Sequence, residues 1–164
     1  MSIREVLLLG NPRLHELSRP VTREDLPSLT PIIQDLRDTL LDFRTRTGAG
    51  RAIAAPQIGL MKRLIVMETE GSHVLINPEL TPLGDEMMEL WDDCLSFPDL
   101  LVRVRRFRRC RVRYRDPAWN LREIDAGGDL SELLQHECDH LDGILATMRA
   151  IDDRSFAMKS RVRK

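Results

Sequence analysis

His136-Glu137-Cys138-Asp139-His140 narrows what this chain can fold into more than any other segment. Histidines four positions apart stand one above the other only on a helix, where their imidazoles converge on one point. The flanks agree with a helix from about Leu130 to Asp142. Gly127-Gly128 precede it, Asp129 followed by Glu132 resembles a capping box, and Gly143 is placed as its C-terminal stop. Projected at the usual helical turn, Leu130, Leu133, Leu134, Cys138 and Leu141 form an apolar arc. Ser131, Gln135, Asp139 and Asp142 fall opposite, and His136, Glu137 and His140 fall at the edge of the arc. Two histidines and a glutamate there must offset their desolvation, and a cation would do so. The competing reading is an amphipathic helix whose histidines share this spacing by chance.

The 164 residues suit one domain with an apolar core, and 42% hydrophobic with 31% charged residues is an ordinary globular composition. A net charge of −1 gives no overall argument for binding nucleic acid, and DNA is not expected as a partner. No apolar run reaches the length of a membrane span, and the one near Leu7-Leu8-Leu9 is too short for a signal peptide. Cys94, Cys110 and Cys138 cannot all pair within one chain, so a reducing cytoplasm is the expected location.

Elsewhere the pattern predicts an amphipathic helix from about Ser28 to Phe43, with Pro27 and Pro31 near its start and Gly48 and Gly50 beyond its end. Short strands are expected at Arg63–Met67 and His73–Ile76, the second stopped by Asn77-Pro78, and one or two more between Leu100 and Tyr114. Strands between two helices give an α+β fold, a single domain with antiparallel sheets packed around the C-terminal HExxH helix. The catalytic domain is expected over residues 1–150. Residues 151–164 form a basic C-terminal tail, frayed or weakly helical, ending in Arg161, Arg163 and Lys164.

A metal held by two histidines needs a third ligand, and the sequence after His140 offers no further His or Glu. Upstream, Trp91-Asp92-Asp93-Cys94-Leu95-Ser96-Phe97-Pro98 presents a cysteine in a loop-like segment. Spacing alone leaves Cys94 open as a ligand or as a small buried residue.

Three segments taken in order resemble the peptide deformylase family: Gly50-Arg51-Ala52-Ile53-Ala54-Ala55-Pro56-Gln57, Cys94-Leu95-Ser96, and His136-Glu137-Cys138-Asp139-His140-Leu141-Asp142-Gly143. Gly10-Asn11-Pro12-Arg13-Leu14 and Ile76-Asn77-Pro78 match as well, so the resemblance covers about residues 3 to 148. It implies a hydrolase that removes the formyl group from the N-terminal methionine of nascent polypeptides. Cys94, His136 and His140 would hold one divalent metal ion, with a fourth position left for water. The implied working ion is Fe2+, although one sulfur and two nitrogens also suit Zn2+, Ni2+ or Co2+. Glu137 would carry the proton, and the Gln57 side chain and Leu95 backbone N–H would meet the developing oxyanion.

The chain departs from the family pattern at Ala52, where a glycine is common, at Asp92, a glutamate, and at Asp93, a glycine. These changes, with Gly50 and Arg51, are expected to touch the substrate groove rather than the ligands. Asp93 would repel acidic substrates unless a cation such as Arg51 offsets it. Ala52 would be strained if its backbone needs positive φ. Asp139 is either an exposed helix residue or a group behind the site that orients a ligand or an arginine. Arg106 is the position most similar to a family arginine near the site. Eight arginines between Arg103 and Arg115 suggest either a solvated strand face or a contact with ribosomal RNA, and the absence of an aromatic platform favours the former. Two other functions stay open: a deformylase-like amidase acting on another N-acylated amine, and a non-catalytic relative that binds metal or the ribosome.

Overall fold

A computed structural model describes residues 2–161. Helix α1 spans Leu26–Thr47 and buries Leu29, Leu36, Leu40 and Phe43 on one face. It outruns the predicted segment at both ends and stops at Gly48, whose φ of 74° closes it in the left-handed region. Pro31 lies early enough to omit only one hydrogen bond near the helix start.

The strands are β1 (Ala52–Ala54), β2 (Leu64–Thr69), β3 (Gly71–Pro82), β4 (Met87–Cys94), β5 (Phe97–Phe107), β6 (Arg109–Arg115), β7 (Leu121–Gly127) and β8 (Phe156–Met158). They form two antiparallel sheets, one ordered β1-β2-β3-β6-β7 and the other β4-β5-β8. Helix α2, Gly128–Leu141, touches strands of both. The expected α+β architecture around the HExxH helix is present. No helix among the described residues is long and apolar enough to cross a membrane.

Several local expectations are corrected. β3 does not stop at Asn77-Pro78 but passes through it on an irregularity between Ile76 and Glu79. Asn77 takes φ 51° there and clamps Val21, accepting from its N–H and donating to its carbonyl, both at 2.8 Å. Pro78, which has no N–H to give the ladder, sits where pairing is already interrupted. The tail is not frayed over residues 156–158, because β8 pairs with Leu100–Val102 of β5. Arg163 and Lys164 lie outside the described residues.

Helix α2 also differs from its projection. The projection puts Ser131, Gln135 and Asp139 opposite the apolar arc, yet all three are buried. Gln135 exchanges hydrogen bonds with the backbone of Phe107 at 2.9 and 2.8 Å, and Ser131 donates to the same carbonyl at 2.9 Å. Those polar contacts let β5 close over the face that periodicity marks as wet. The expected Asp129–Glu132 capping box is absent: Gly127 is the N-cap and makes no side-chain bond. Glu132 turns instead to Arg51.

Candidate active site

The site forms where three segments meet. β4 ends at Cys94 and turns through Leu95-Ser96 into β5. β1 leads into the 3-10 turn Ala55–Ile58, which carries Gln57. α2 carries His136, Glu137 and His140. Gly50 enters β1 with φ 116°, and a Cβ there would stand 3.3 Å from both Leu40 and Phe43, so the approach to β1 suits glycine. Arg44 fixes that approach, donating from Nε to the Gly50 carbonyl at 2.8 Å. The N-terminal segment supports the other side, with Leu7 N–H donating to the Gln57 carbonyl and Leu9 N–H to that of Ser96, both at 2.8 Å.

Cys94, His136 and His140 are all buried, and their potential ligand atoms lie within 4.8 Å of one another. Nε2 of His140 is 3.3 Å from the Cys94 sulfur and 3.1 Å from Nε2 of His136. Behind His136, its Nδ1 faces Asp92, with the two carboxylate oxygens at 2.9 and 3.0 Å. A carboxylate only accepts, so Nδ1 carries a hydrogen, and in the neutral ring Nε2 is the nitrogen with a lone pair for the shared point. His140 Nδ1 is buried and has no hydrogen-bond partner among the described residues. A sulfur and two nitrogens crowded around one point, one ring pre-set by a carboxylate, fit a divalent ion of the zinc or iron type.

Charges around this point are strongly shifted. Burial would depress the His136 imidazole, but Asp92 and Cys94 beside it outweigh that and raise it well above its ordinary range. Asp92 is likewise burdened by burial, yet His136 and Arg106 hold it at about 2. His140, with burial and His136 acting together, is pushed well below the usual imidazole range. Burial raises Glu137 to about 7, against the pull of His136, and its Oε2 has no hydrogen-bond partner among the described residues. A buried carboxyl poised near neutrality is what proton transfer at that pH requires.

Gln57 is 1% exposed. Its Oε1 accepts from Ala54 N–H at 3.0 Å, which turns Nε2 toward Ser96 Oγ at 3.2 Å and the Cys94 sulfur at 3.5 Å. Leu95 is buried in the turn between Cys94 and Ser96. Gly50, Arg51, Ala52 and Asp93 line the same pocket as Cys94, His136 and Glu137. Ala52 stands in ordinary extended backbone paired with Met67, so the methyl brings no strain. Asp92 is a correction: it contacts His136, one of the candidate metal-holding residues, rather than only the groove. The Arg51 charge acts on Asp93 as expected, and a second cation joins it. Arg51 bonds Glu132, while Lys159 donates to Asp93 at 3.1 Å.

Arg106 is buried between Asp92 at 3.0 Å and Asp139 at 2.5 Å, and Arg149 holds the other oxygen of Asp139 at 2.8 Å. Asp139 is therefore not an exposed helix residue, and of the groups it was expected to orient it holds arginines. Sequence reasoning missed Lys159, Glu132, Phe43 and Leu133 as pocket residues. The place of Leu133 on the apolar arc of α2 is a signal for the core, and nothing local marks Lys159. The remaining arginines are mostly engaged by carboxylates of the same chain: Arg103 with Asp152, Arg105 with Glu89, Arg108 with Glu86, Arg111 with Asp125, and Arg113 with Glu123.

Comparison with known proteins gives the family and the fold. The family described as Polypeptide deformylase matches residues 3–155. Peptide deformylase 1 of Nitrosomonas europaea is 38% identical over 165 residues, covering 94% of this chain and 91% of the relative. The crystal structure of peptide deformylase from Thermotoga maritima superposes with a TM-score of 0.84 at 30% identity, covering 93% of this chain and 100% of that one. A peptide deformylase from Synechococcus elongatus in complex with actinonin gives a TM-score of 0.84 at 30% identity, covering 92% of this chain and 80% of that one. By sequence over nearly its whole length and by fold, the chain belongs to the peptide deformylase family.

Proposed function

We propose that this enzyme hydrolyses the N-formyl amide of nascent polypeptides at the point where Cys94, His136 and His140 converge, with Glu137 moving the proton. The observation that carries the reading is the approach of one sulfur and two ring nitrogens within 4.8 Å, beside a buried carboxyl raised to about 7.

Cys94, His136 and His140 would hold one divalent ion, which supplies a Lewis acid to polarise water and the formyl oxygen. Fe2+ is the proposed working ion, and Zn2+, Ni2+ or Co2+ suit the same donors. Glu137 takes a proton from the attacking water and returns it to the amine nitrogen as the C–N bond breaks. The Gln57 amide and the Leu95 N–H face the negative charge that develops on the formyl oxygen. Asp92 keeps His136 in one tautomer throughout, and formate and a free amino terminus leave. The nascent peptide is the proposed partner and the cytoplasm the proposed setting. The carboxylates that engage most of the arginines support a solvated strand face over an RNA-binding surface.

The test is formate release from a formyl-methionyl tripeptide by protein loaded anaerobically with Fe2+, alongside Glu137→Ala. Release abolished by the substitution supports the reading. No release from protein that binds metal tightly would replace it with an amidase for another N-acyl group or a non-catalytic metal protein.

A further inference from the structure

The row of side chains that carries the two histidines does not begin at His136. Glu132, His136 and His140 stand four residues apart, so one face of α2 presents them in line. One turn before His136, the wall beside the converging ligands is therefore a carboxylate. Glu132 is 7% exposed and ion-paired with Arg51, which arrives from the segment leading into β1 and also donates to the Asp129 carbonyl at 3.3 Å. Phe43 and Leu133 add apolar surface to the same pocket. The pair also lines a wider groove that shares Gly50, Asp92 and Asp93 with this pocket, so it stands at the join between the two. A substrate lying from the groove to the ligands passes over it.

We propose that the Arg51–Glu132 pair reads the side chain of the formylated residue, and that the site also releases formate from peptides whose formylated residue is polar and uncharged, such as glutamine. The inference rests on the deformylase reading above and widens the substrates of that site beyond formyl-methionyl peptides. With the formyl carbon at the converging ligands, this side chain branches two bonds from the cleaved nitrogen. It is the group that spans the single turn, about 5.4 Å, from His136 to Glu132. Methionine finds Phe43 and Leu133 there, but its far end strips water from the ion pair and returns no hydrogen bond. Glutamine has nearly the same length, and its amide both donates and accepts. A carboxylate and a guanidinium together offer more hydrogen-bonding positions than one ion pair uses. A charged side chain is drawn to one partner and repelled by the other.

The experiment compares formate release from formyl-Gln-Ala-Ser and formyl-Met-Ala-Ser by the Fe2+-loaded enzyme, and binding of both peptides to Glu137→Ala loaded in the same way. The two wild-type kcat/KM values should lie within about ten-fold of each other, gained hydrogen bonds offsetting lost apolar contact. Arg51→Leu and Glu132→Leu are made together, so that neither charge is left buried alone. That double variant should shift the ratio toward methionine by about ten-fold or more, the cost of an amide against an apolar wall. Glu132→Gln, which stays polar, should keep the wild-type ratio. A wild-type preference for methionine beyond about ten-fold would overturn the proposal, as would an unchanged ratio in the double variant. Should the double variant fail to fold, Glu132→Leu decides in the same way, because the Arg51 side chain is 43% exposed and can keep its charge in water. If neither peptide releases formate, the hydrolase reading falls. Comparable binding of both peptides would then still support this inference, and binding of the methionyl peptide alone would overturn it.

Discussion

Nδ1 of His136 donates to the Asp92 carboxylate at 3.0 Å, and that single contact decides which nitrogen of the ring faces Cys94 and His140. Without it, the imidazole could place its hydrogen on Nε2 and point it at the shared centre. Asp92→Asn removes the negative charge while keeping the shape. Metal affinity should fall by about 10- to 100-fold, the usual effect of losing an outer partner of a ligating histidine. Competition against a chromophoric chelator measures this, and an unchanged affinity would show that His136 is oriented by packing alone.

Arg106 neutralises two buried carboxylates, Asp92 and Asp139, and is itself 3% exposed. Arg106→Met preserves much of the stem but leaves Asp92 with His136 alone. Breaking a buried pair from one side costs about 3–5 kcal/mol. The urea midpoint should drop accordingly, and Arg149, still bound to Asp139, should limit the damage on that side. A midpoint within error of wild type would mean that the carboxylates find other partners.

What could be read in advance follows the range of the forces involved. The HExxH helix, the Gly143 stop and the first helix are local patterns, and they stand within a few residues of where periodicity and capping put them. The pairing of Cys94 with the histidines joins residues 46 positions apart, and spacing alone left it open. Family resemblance supplied it, because a motif records a tertiary meeting that one-dimensional pattern does not. The buried back of α2 was misread for a related reason: Ser131, Gln135 and Asp139 are polar, and only β5 supplies the carbonyl, N–H and Arg106 that let them go inside. β8 and Lys159 were illegible because a three-residue edge strand carries no periodicity, and its partner β5 lies more than fifty residues upstream.

Gly143 stops α2 at φ 71°, and the chain near His15 crosses it closely enough that a Cβ would press into the His15 backbone carbonyl. The crossing is held by Ser18 N–H donating to the Leu141 carbonyl at 2.9 Å and by His15 Nδ1, 3.2 Å from the Gly143 carbonyl. Gly143→Ala therefore meets both a left-handed backbone and a fixed wall. A loss of about 2–3 kcal/mol in unfolding free energy is expected. Gly84, also at positive φ but with open space around it, is the control, and its alanine variant should lose less. Equal losses at both positions would mean that the His15 crossing yields freely.

The three cysteines should separate by chemistry when the metal is removed. Cys94 lines the pocket, Cys110 has no exposed surface, and burial pushes the Cys138 thiol far above its ordinary range. Cys110 is raised in the same direction by burial. Because the thiolate is the reactive form, neither buried thiol should alkylate readily at mildly alkaline pH. Native protein stripped by a chelator should then take iodoacetamide at Cys94 first, as mapped by peptide mass spectrometry, and all three cysteines should react in guanidinium. Adding Zn2+ before the reagent should protect Cys94, because a sulfur bound to the ion cannot attack. Cys94 labelling that is indifferent to Zn2+ would place the metal elsewhere, and with it every role assigned to His136 and His140.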